Sequence, residues 1–169
     1  MNIFSGQFKG RKIKTIQELN YRPTKSIVRK SIFDSLSPYN YDLVLDLFSG
    51  SGILGFEAAS RGAKIISFVE NNRTALKLLK ENAEILHGPD YKFYHKSVLK
   101  YFEPNFSFDL IFADPPYGKI DLIQLVDIIL GHLNKKGKFI LECDKKQVPF
   151  MDAKVKDFGN TRLLYWENS

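Results

Sequence analysis

Leu43-Val44-Leu45-Asp46-Leu47-Phe48-Ser49-Gly50-Ser51-Gly52-Ile53-Leu54-Gly55-Phe56-Glu57 is the stretch on which the reading of the whole chain turns. An apolar run, Leu43 to Leu45, leads into Asp46, then a glycine-rich turn from Phe48 to Gly52, then a helical pattern. That order predicts a buried parallel strand whose carboxyl end opens into a tight loop and a helix N-terminus. Glycines suit such a loop because they accept positive φ and let backbone N–H groups come close to a ligand. In open α/β sheets, ligands bind outside the carboxyl ends of the strands. The stretch therefore predicts a site for a nucleotide-like molecule.

Gly50-x-Gly52-x-x-Gly55 matches a dinucleotide fingerprint, and Glu70 closes the next apolar run, Ile65 to Val69, where a carboxylate can accept both ribose hydroxyls. Taken alone, the pattern admits a ligand-free turn, a dinucleotide site or an S-adenosylmethionine site. Asp46 favours the last. A carboxylate just before the glycines repels a pyrophosphate but stabilises a cationic or amine-bearing ligand.

Outward from this stretch, the 169 residues fit one domain with a sizeable core: a basic arm and helix over residues 1–40, and a cofactor-binding and catalytic core over 41–169. No run approaches the ~18 apolar residues of a membrane helix, so no membrane partner is expected. The first twelve residues lack the apolar segment of a signal peptide. A lone cysteine, Cys143, excludes an intrachain disulfide, fits a reducing cytoplasm, and reads as a small buried hydrophobe. His87, His95 and His132 are dispersed without metal-ligand spacing, so no metal is expected. The net charge of +6 is localised. Residues 1–30 carry Lys9, Arg11, Lys12, Lys14, Arg22, Lys25, Arg29 and Lys30 against Glu18 alone, while the other 139 residues carry 17 basic and 18 acidic groups. Such an arm is either a solvated tail or an electrostatic footprint for nucleic acid. Gln7-Phe8-Lys9-Gly10-Arg11-Lys12 favours a short hairpin over a disordered tail.

In chain order, residues 1–16 predict one or two short strands around Gly6 and Gly10, and Tyr21-Arg22-Pro23 an extended step. Thr24 is the expected N-cap of a helix over Lys25–Leu36, with Ile27, Val28, Ile32, Phe33 and Leu36 on its apolar face. Strands follow at 43–47, 65–69, 91–94, 108–113 and 138–143, with helices at about 52–61, 72–86 and 120–133 and a helical turn at 98–102. Val155 to Phe158 and Leu163 to Trp166 read as an antiparallel pair across Gly159-Asn160. The sum is an α/β, Rossmann-like layer sandwich: a mostly parallel sheet, an antiparallel C-terminal strand pair and a short basic N-terminal β extension.

The fourth strand runs straight into Asp114-Pro115-Pro116-Tyr117. Two prolines fix two φ angles and delete two N–H groups, leaving carbonyls free to accept. Asp114 adds carboxylate acceptors and Tyr117 a flat ring. The site suits a planar group bearing an amine, with one hydrogen held by Asp114 and the other by a carbonyl, that of Pro115. Stacking of a base on Tyr117 is worth ~1–3 kcal/mol. Hydride transfer needs no such tetrapeptide, so the dinucleotide reading loses.

Asp114-Pro115-Pro116-Tyr117 resembles the catalytic motif of S-adenosylmethionine-dependent amino-group methyltransferases acting on nucleobases. Gly6-Gln7-Phe8-Lys9-Gly10-Arg11, Arg22-Pro23-Thr24 with Val28-Arg29, the Asp46 to Ala58 stretch, Ser60-Arg61-Gly62-Ala63 and Val69-Glu70 complete the pattern. In this order they resemble the bacterial small-subunit (16S) rRNA guanine-N2 methyltransferase family, over nearly the whole chain. The resemblance implies a class I methyltransferase fold and methyl transfer to guanine N2. Asp114, Pro115, Pro116 and Tyr117 would be catalytic. Thr24, Asp46, Phe48, Ser49, Gly50, Ser51, Gly52, Glu70, Asn71 and Ser97 would bind the cofactor. Lys9, Arg11, Lys12, Lys14 and Arg22 would contact RNA. The implied partner is rRNA or the small ribosomal subunit, met by a cytoplasmic monomer. Two positions depart from the family pattern: Lys30 stands where the family carries Glu, and Ser97 where many methyltransferases carry an acid or amide for the adenine amine. The competing readings are a DNA adenine or cytosine amino-methyltransferase and a non-catalytic RNA-binding ribosome-assembly factor.

Overall fold

The computed structural model describes residues 1–15, 24–103 and 105–169. The expected Tyr21-Arg22-Pro23 step, with its RNA-contact candidate Arg22, lies outside the described residues. Strand β1 (Leu43–Leu47) pairs in parallel with β2 (Ile65–Val69) on one side and β4 (Phe108–Ala113) on the other. Next to these lie β3 (Asp90–Tyr94), β5 (Leu133–Asp144), β6 (Lys154–Phe158) and β7 (Thr161–Glu167), in the order β3-β2-β1-β4-β5-β7-β6. β7 runs antiparallel to both of its neighbours, β5 and β6, as the sequence predicts for the tail.

Register explains where the site lies. Leu47 is level with Val69 of β2 and Ala113 of β4, and Val69 is level with Tyr94 of β3. The residues that follow, Phe48, Glu70, His95 and Asp114, therefore leave the sheet side by side at one edge. β1 carries apolar side chains on alternating faces because both faces are covered. Val44, Ile66, Phe68, Leu110 and Phe112 pack under helices α1 (Ser26–Ser35) and α2 (Ile53–Ser60). Leu45, Leu47, Ile111, Phe139 and Leu141 pack under helix α4 (Leu122–Leu130). Helix α3 (Arg73–Ala83) joins the first layer through Leu79, with Leu76 and Ala83 packed against it.

Several elements differ from expectation. The 72–86 helix ends at Ala83, and Asn72 is its N-cap, accepting from the Thr74 and Ala75 amides. The 120–133 helix is shorter, capped by Asp121 through the Ile123 and Gln124 amides. The fifth strand starts at Leu133, ahead of an irregularity opposite Phe108–Leu110. Thr24 is buried but is not the N-cap of α1; Lys25 is, with no side-chain cap bond. Ile27, expected on the apolar face, is 63% exposed, whereas Arg29 is buried in the layer. The Arg29 guanidinium lies 3.7 Å from the centre of the Phe4 ring and donates to the Asn2 carbonyl at 2.8 Å.

That contact belongs to the N-terminal arm, a hairpin with a single antiparallel bridge, Asn2 to Lys12, in place of full strands. Ile3, Phe8 and Ile13 are buried in the core, so the arm is part of the fold. Its turn sits on the end of α2. Ser60 Oγ accepts from the Phe8 amide at 2.9 Å and donates to the Ser5 carbonyl at 2.5 Å, and the Gln7 amide donates to the Ser60 carbonyl at 2.8 Å. Gly6 makes this approach possible: φ is +84°, and a Cβ there would stand 1.8 Å from the Ser60 carbonyl oxygen. Glu57, fully buried, accepts from the Phe4 and Ser5 amides at 2.8 and 3.1 Å and from both Nε and Nη2 of Arg61.

Candidate active site

The loop after β1 is built from left-handed residues: Phe48 at φ 56°, Gly50 at 52° and Gly52 at 75°. Phe48 is the costly member, because an L side chain in that region is disfavoured. The turn is locked beneath by Ser49, whose Oγ donates to the Asp46 carbonyl at 2.6 Å, and by the Gly52 amide donating to the Ser49 carbonyl at 2.7 Å. Gly55 has a different task. A Cβ there would come within 2.4 Å of the Phe68 ring, so its absence lets α2 lie close on β2. Ser51 is half-buried at the turn.

Two carboxylates brace this loop. Glu70, 4% exposed, accepts from the Gly50 amide at 2.9 Å through one oxygen and from the Asn72 amide at 2.8 Å through the other. Asp46, 3% exposed, accepts from the Gly55 amide at 2.9 Å. Burial pushes the Asp46 carboxyl up to about 8; the Gly55 amide opposes that rise and the nearby Glu70 charge adds to it. A buried acid in this condition gains from an arriving cation, which favours its charged form.

Two further cofactor candidates, Asn71 and Ser97, follow β2 and β3 at the same edge, whereas no contact among the described residues brings Thr24, ahead of α1, to it. Asn71 is exposed, and its carbonyl contacts the His95 ring at 2.9 Å. Ser97 is exposed at the start of the helical turn Val98–Lys100. Asp114 is half-buried directly after β4, followed by buried Pro115, exposed Pro116 and half-buried Tyr117. Beside this motif opens a cleft of ≈ 560 Å³ between the Pro115–Ile123 segment and the Cys143–Gln147 segment. The arm candidates are placed otherwise. Lys9, Arg11, Lys12 and Lys14 are all exposed, but Lys14 is paired with Glu81 at 3.2 Å. Lys9 and Arg11 flank the turn that rests on Ser60, while the glycine loop lies at the other end of α2, about 12 Å away along an eight-residue helix. Asn72, whose amide donates to Glu70, and Asn82, whose side-chain nitrogen donates to the Ser51 carbonyl at 3.5 Å, support the site, and Glu57 supports the arm, without being marked as candidates by the sequence. For Asn72 a signal exists, as an Asn ahead of a helical run; for Asn82, which clamps the Lys14 backbone through both its oxygen and nitrogen, there is none.

No helix among the described residues is long and apolar enough to cross a membrane. The family described as Conserved hypothetical protein 95 matches residues 1–167. The ribosomal RNA small subunit methyltransferase D of Buchnera aphidicola is 36% identical over 151 residues, covering 86% of this chain and 78% of that protein. A provisionally named rRNA methyltransferase of Bacillus subtilis is 34% identical over 154 residues, covering 86% and 84%. Among solved structures, a provisionally named methylase of Haemophilus influenzae superposes with a TM-score of 0.81 at 26% identity, over 99% of this chain and 97% of that one. The order of the sheet, the glycine loop, the carboxylates at the strand ends and these similarities agree: the chain belongs to the ribosomal RNA small subunit methyltransferase D family.

Proposed function

We propose that this chain transfers a methyl group from S-adenosylmethionine to the exocyclic N2 of a guanine in small-subunit rRNA. The observation that carries the reading is the register, which ends β1, β2 and β4 level and so brings the glycine loop, Glu70 and Asp114 to one edge of the sheet.

The residues present fit the cofactor. The left-handed turn from Phe48 to Gly52 offers a concave backbone surface to the methionine end, with Asp46 beneath it as the acceptor for an ammonium group. Glu70 already accepts two amides, and its remaining lone pairs suit ribose hydroxyls. Asn71 and Ser97 border the adenine, and Thr24, buried ahead of α1, completes the set. When bound, the cofactor supplies an electrophilic methyl group. This chain's part is orientation. The Asp114 carboxylate accepts one hydrogen of the guanine amine and the Pro115 carbonyl the other, which draws the nitrogen lone pair out of conjugation. Tyr117 stacks against the base and fixes its plane. After transfer leaves N2 cationic, Asp114 takes its proton. Positioning of this kind replaces a bimolecular encounter and supplies much of the acceleration. The exposed Lys9, Arg11 and Lys12, with Arg22, set the RNA without reading its sequence. The enzyme works as a monomer in the cytoplasm.

Tritium transfer from labelled S-adenosylmethionine to unmodified small-subunit rRNA, assembled small subunits and duplex DNA tests the reading. Label in rRNA or subunits, recovered as N2-methylguanosine after nuclease digestion, is expected. Asp114→Ala is expected to bind the cofactor as before while transfer falls about 10²–10⁴-fold. Label in DNA alone, or cofactor binding with no label anywhere, overturns it.

A further inference from the structure

We infer that the segment joining β5 to β6 is a second RNA-contacting wall of the acceptor site: Lys146 takes a phosphate of the target strand, and Val148 with Ile123 forms an apolar wedge that holds the target nucleotide out of its stack. This inference rests on the RNA-methylating reading above.

The ≈ 560 Å³ cleft beside Asp114 has two walls. One is Pro115, Pro116, Tyr117 and the start of α4; the other is Cys143, Asp144, Lys146 and Gln147. Its volume falls within the range of about 300–1,000 Å³ typical of ligand pockets. Because it shares Pro115, Pro116 and Tyr117 with the acceptor motif, a base stacked on Tyr117 must stand at this cleft. Ile120, Leu122 and Cys143 supply apolar lining. The two lining carboxylates have local tasks: Asp121 caps α4, and Asp144 accepts from the Lys146 amide at 2.8 Å. Lys146 is exposed and carries the cation of this wall.

One large exposed apolar side chain lines the cleft, and another follows directly on its second wall in the chain. Ile123, which lines the cleft, is 56% exposed; Val148, next to the lining residue Gln147, is 72% exposed, the highest of its kind among the described residues. An apolar residue left in water beside a site that must receive an extruded base has a use. Side chains of this type insert between base steps, and a target base has to leave its stack before its amine can be reached. The segment is also held in place. Arg162 donates to the Gln147 carbonyl at 2.8 Å and grips Asp157 with two bonds of 2.8 Å, while the Lys145 amide donates to the Asn160 carbonyl at 3.0 Å. A tethered loop presents its side chains without a large ordering cost. The arm cannot serve this purpose, because its turn is anchored to the far end of α2.

The test uses the full chain with unmodified small-subunit rRNA and assembled small subunits. Lys146→Ala and Val148→Ser are compared with the wild type and with Lys77→Ala on the exposed side of α3 as control. Both variants are surface changes, and cofactor affinity by calorimetry checks that the fold is kept. Expected for Lys146→Ala is a KM for RNA raised five- to tenfold, kcat within twofold, and a salt slope shallower by about 0.7, one single-strand phosphate contact. Expected for Val148→Ser is a raised KM with an unchanged salt slope, reversed when the RNA is pre-denatured so that the base is already unstacked. An active wild type whose KM and salt slope survive both substitutions overturns the inference and leaves the proposed function standing. A wild type that methylates no RNA overturns the proposed function first.

Discussion

Gly6→Ala asks whether the basic arm is a structural part of the enzyme. The new Cβ would stand 1.8 Å from the Ser60 carbonyl oxygen and 2.8 Å from Ser60 Oγ, and φ of +84° is unfavourable for any L side chain. The backbone strain alone is worth about 1–2 kcal/mol. Relief of the clash requires the turn to lift from α2, which breaks the Gln7-to-Ser60, Phe8-to-Ser60 and Ser60-to-Ser5 hydrogen bonds. At about 0.5–1.5 kcal/mol each, these bring the expected loss to roughly 3–5 kcal/mol. For a domain of this size, about 2–4 °C of Tm is lost per kcal/mol, so melting should fall by on the order of 10 °C. The assay is thermal unfolding by circular dichroism together with hydrogen exchange at the Gln7 and Phe8 amides. Those two amides should lose protection while those of β1 keep theirs. A Tm within about 2 °C of the wild type, with the Phe8 amide still protected, would refute the argument that Gly6 is selected by close approach.

Asp46 predicts a pH effect whose sign is set by its raised pKa. The group is at about 8 when folded and 3.8 as a free side chain, so its stabilising contribution is present below pH 3.8 and lost as pH rises through about 8. Urea unfolding of the ligand-free protein should therefore show stability falling from about pH 5 to about pH 9 more steeply for the wild type than for Asp46→Asn; parallel curves would refute this. Replacing Lys9, Arg11 and Lys12 together by alanine should leave the fold intact and reduce the salt slope of RNA binding by about 2. An unchanged slope would remove these residues from the interface. Deleting residues 1–14 is a poorer experiment, because it also strips Ile3, Phe8 and Ile13 from the core. Cys143 is 1% exposed, with its thiol pushed up to about 12 by burial, so it should resist thiol reagents until the protein is unfolded. Stoichiometric labelling under native conditions would contradict that.

Legibility follows the range of the interactions. β1, β2 and β4 are readable because a strand buried on both faces must be a continuous apolar run, and their ends are marked by Asp46, Glu70 and Asp114. Helix ends are less legible. The apolar period of 120–133 continues past the point where Asp121 begins the helix and Gly131 ends it, because periodicity reports the buried face and not the cap. Ile27 and Arg29 depart from the apolar pattern for a tertiary reason. Helical spacing permits either side chain inward, and the Phe4 ring and the Asn2 carbonyl, supplied by the arm, favour the guanidinium. The same cause hides Glu57, which reads as an ordinary helix-surface acid until the Phe4 and Ser5 amides arrive from 53 and 52 residues away.

By itself, the sequence determined the parallel α/β class, the glycine loop and the Asp114-Pro115-Pro116-Tyr117 motif, since each rests on neighbours within one turn or one strand, and the family, from the order of such short motifs along the chain. The tertiary structure decided which charges are available to meet RNA. Of the eight basic residues in the first thirty, Lys14 is paired with Glu81 and Arg29 is buried against Phe4, while Lys146, far along the chain, lines the cleft it shares with Pro115, Pro116 and Tyr117. Charge is a property of residues, but its availability depends on burial and on partners brought together by the chain's return, which no local pattern encodes.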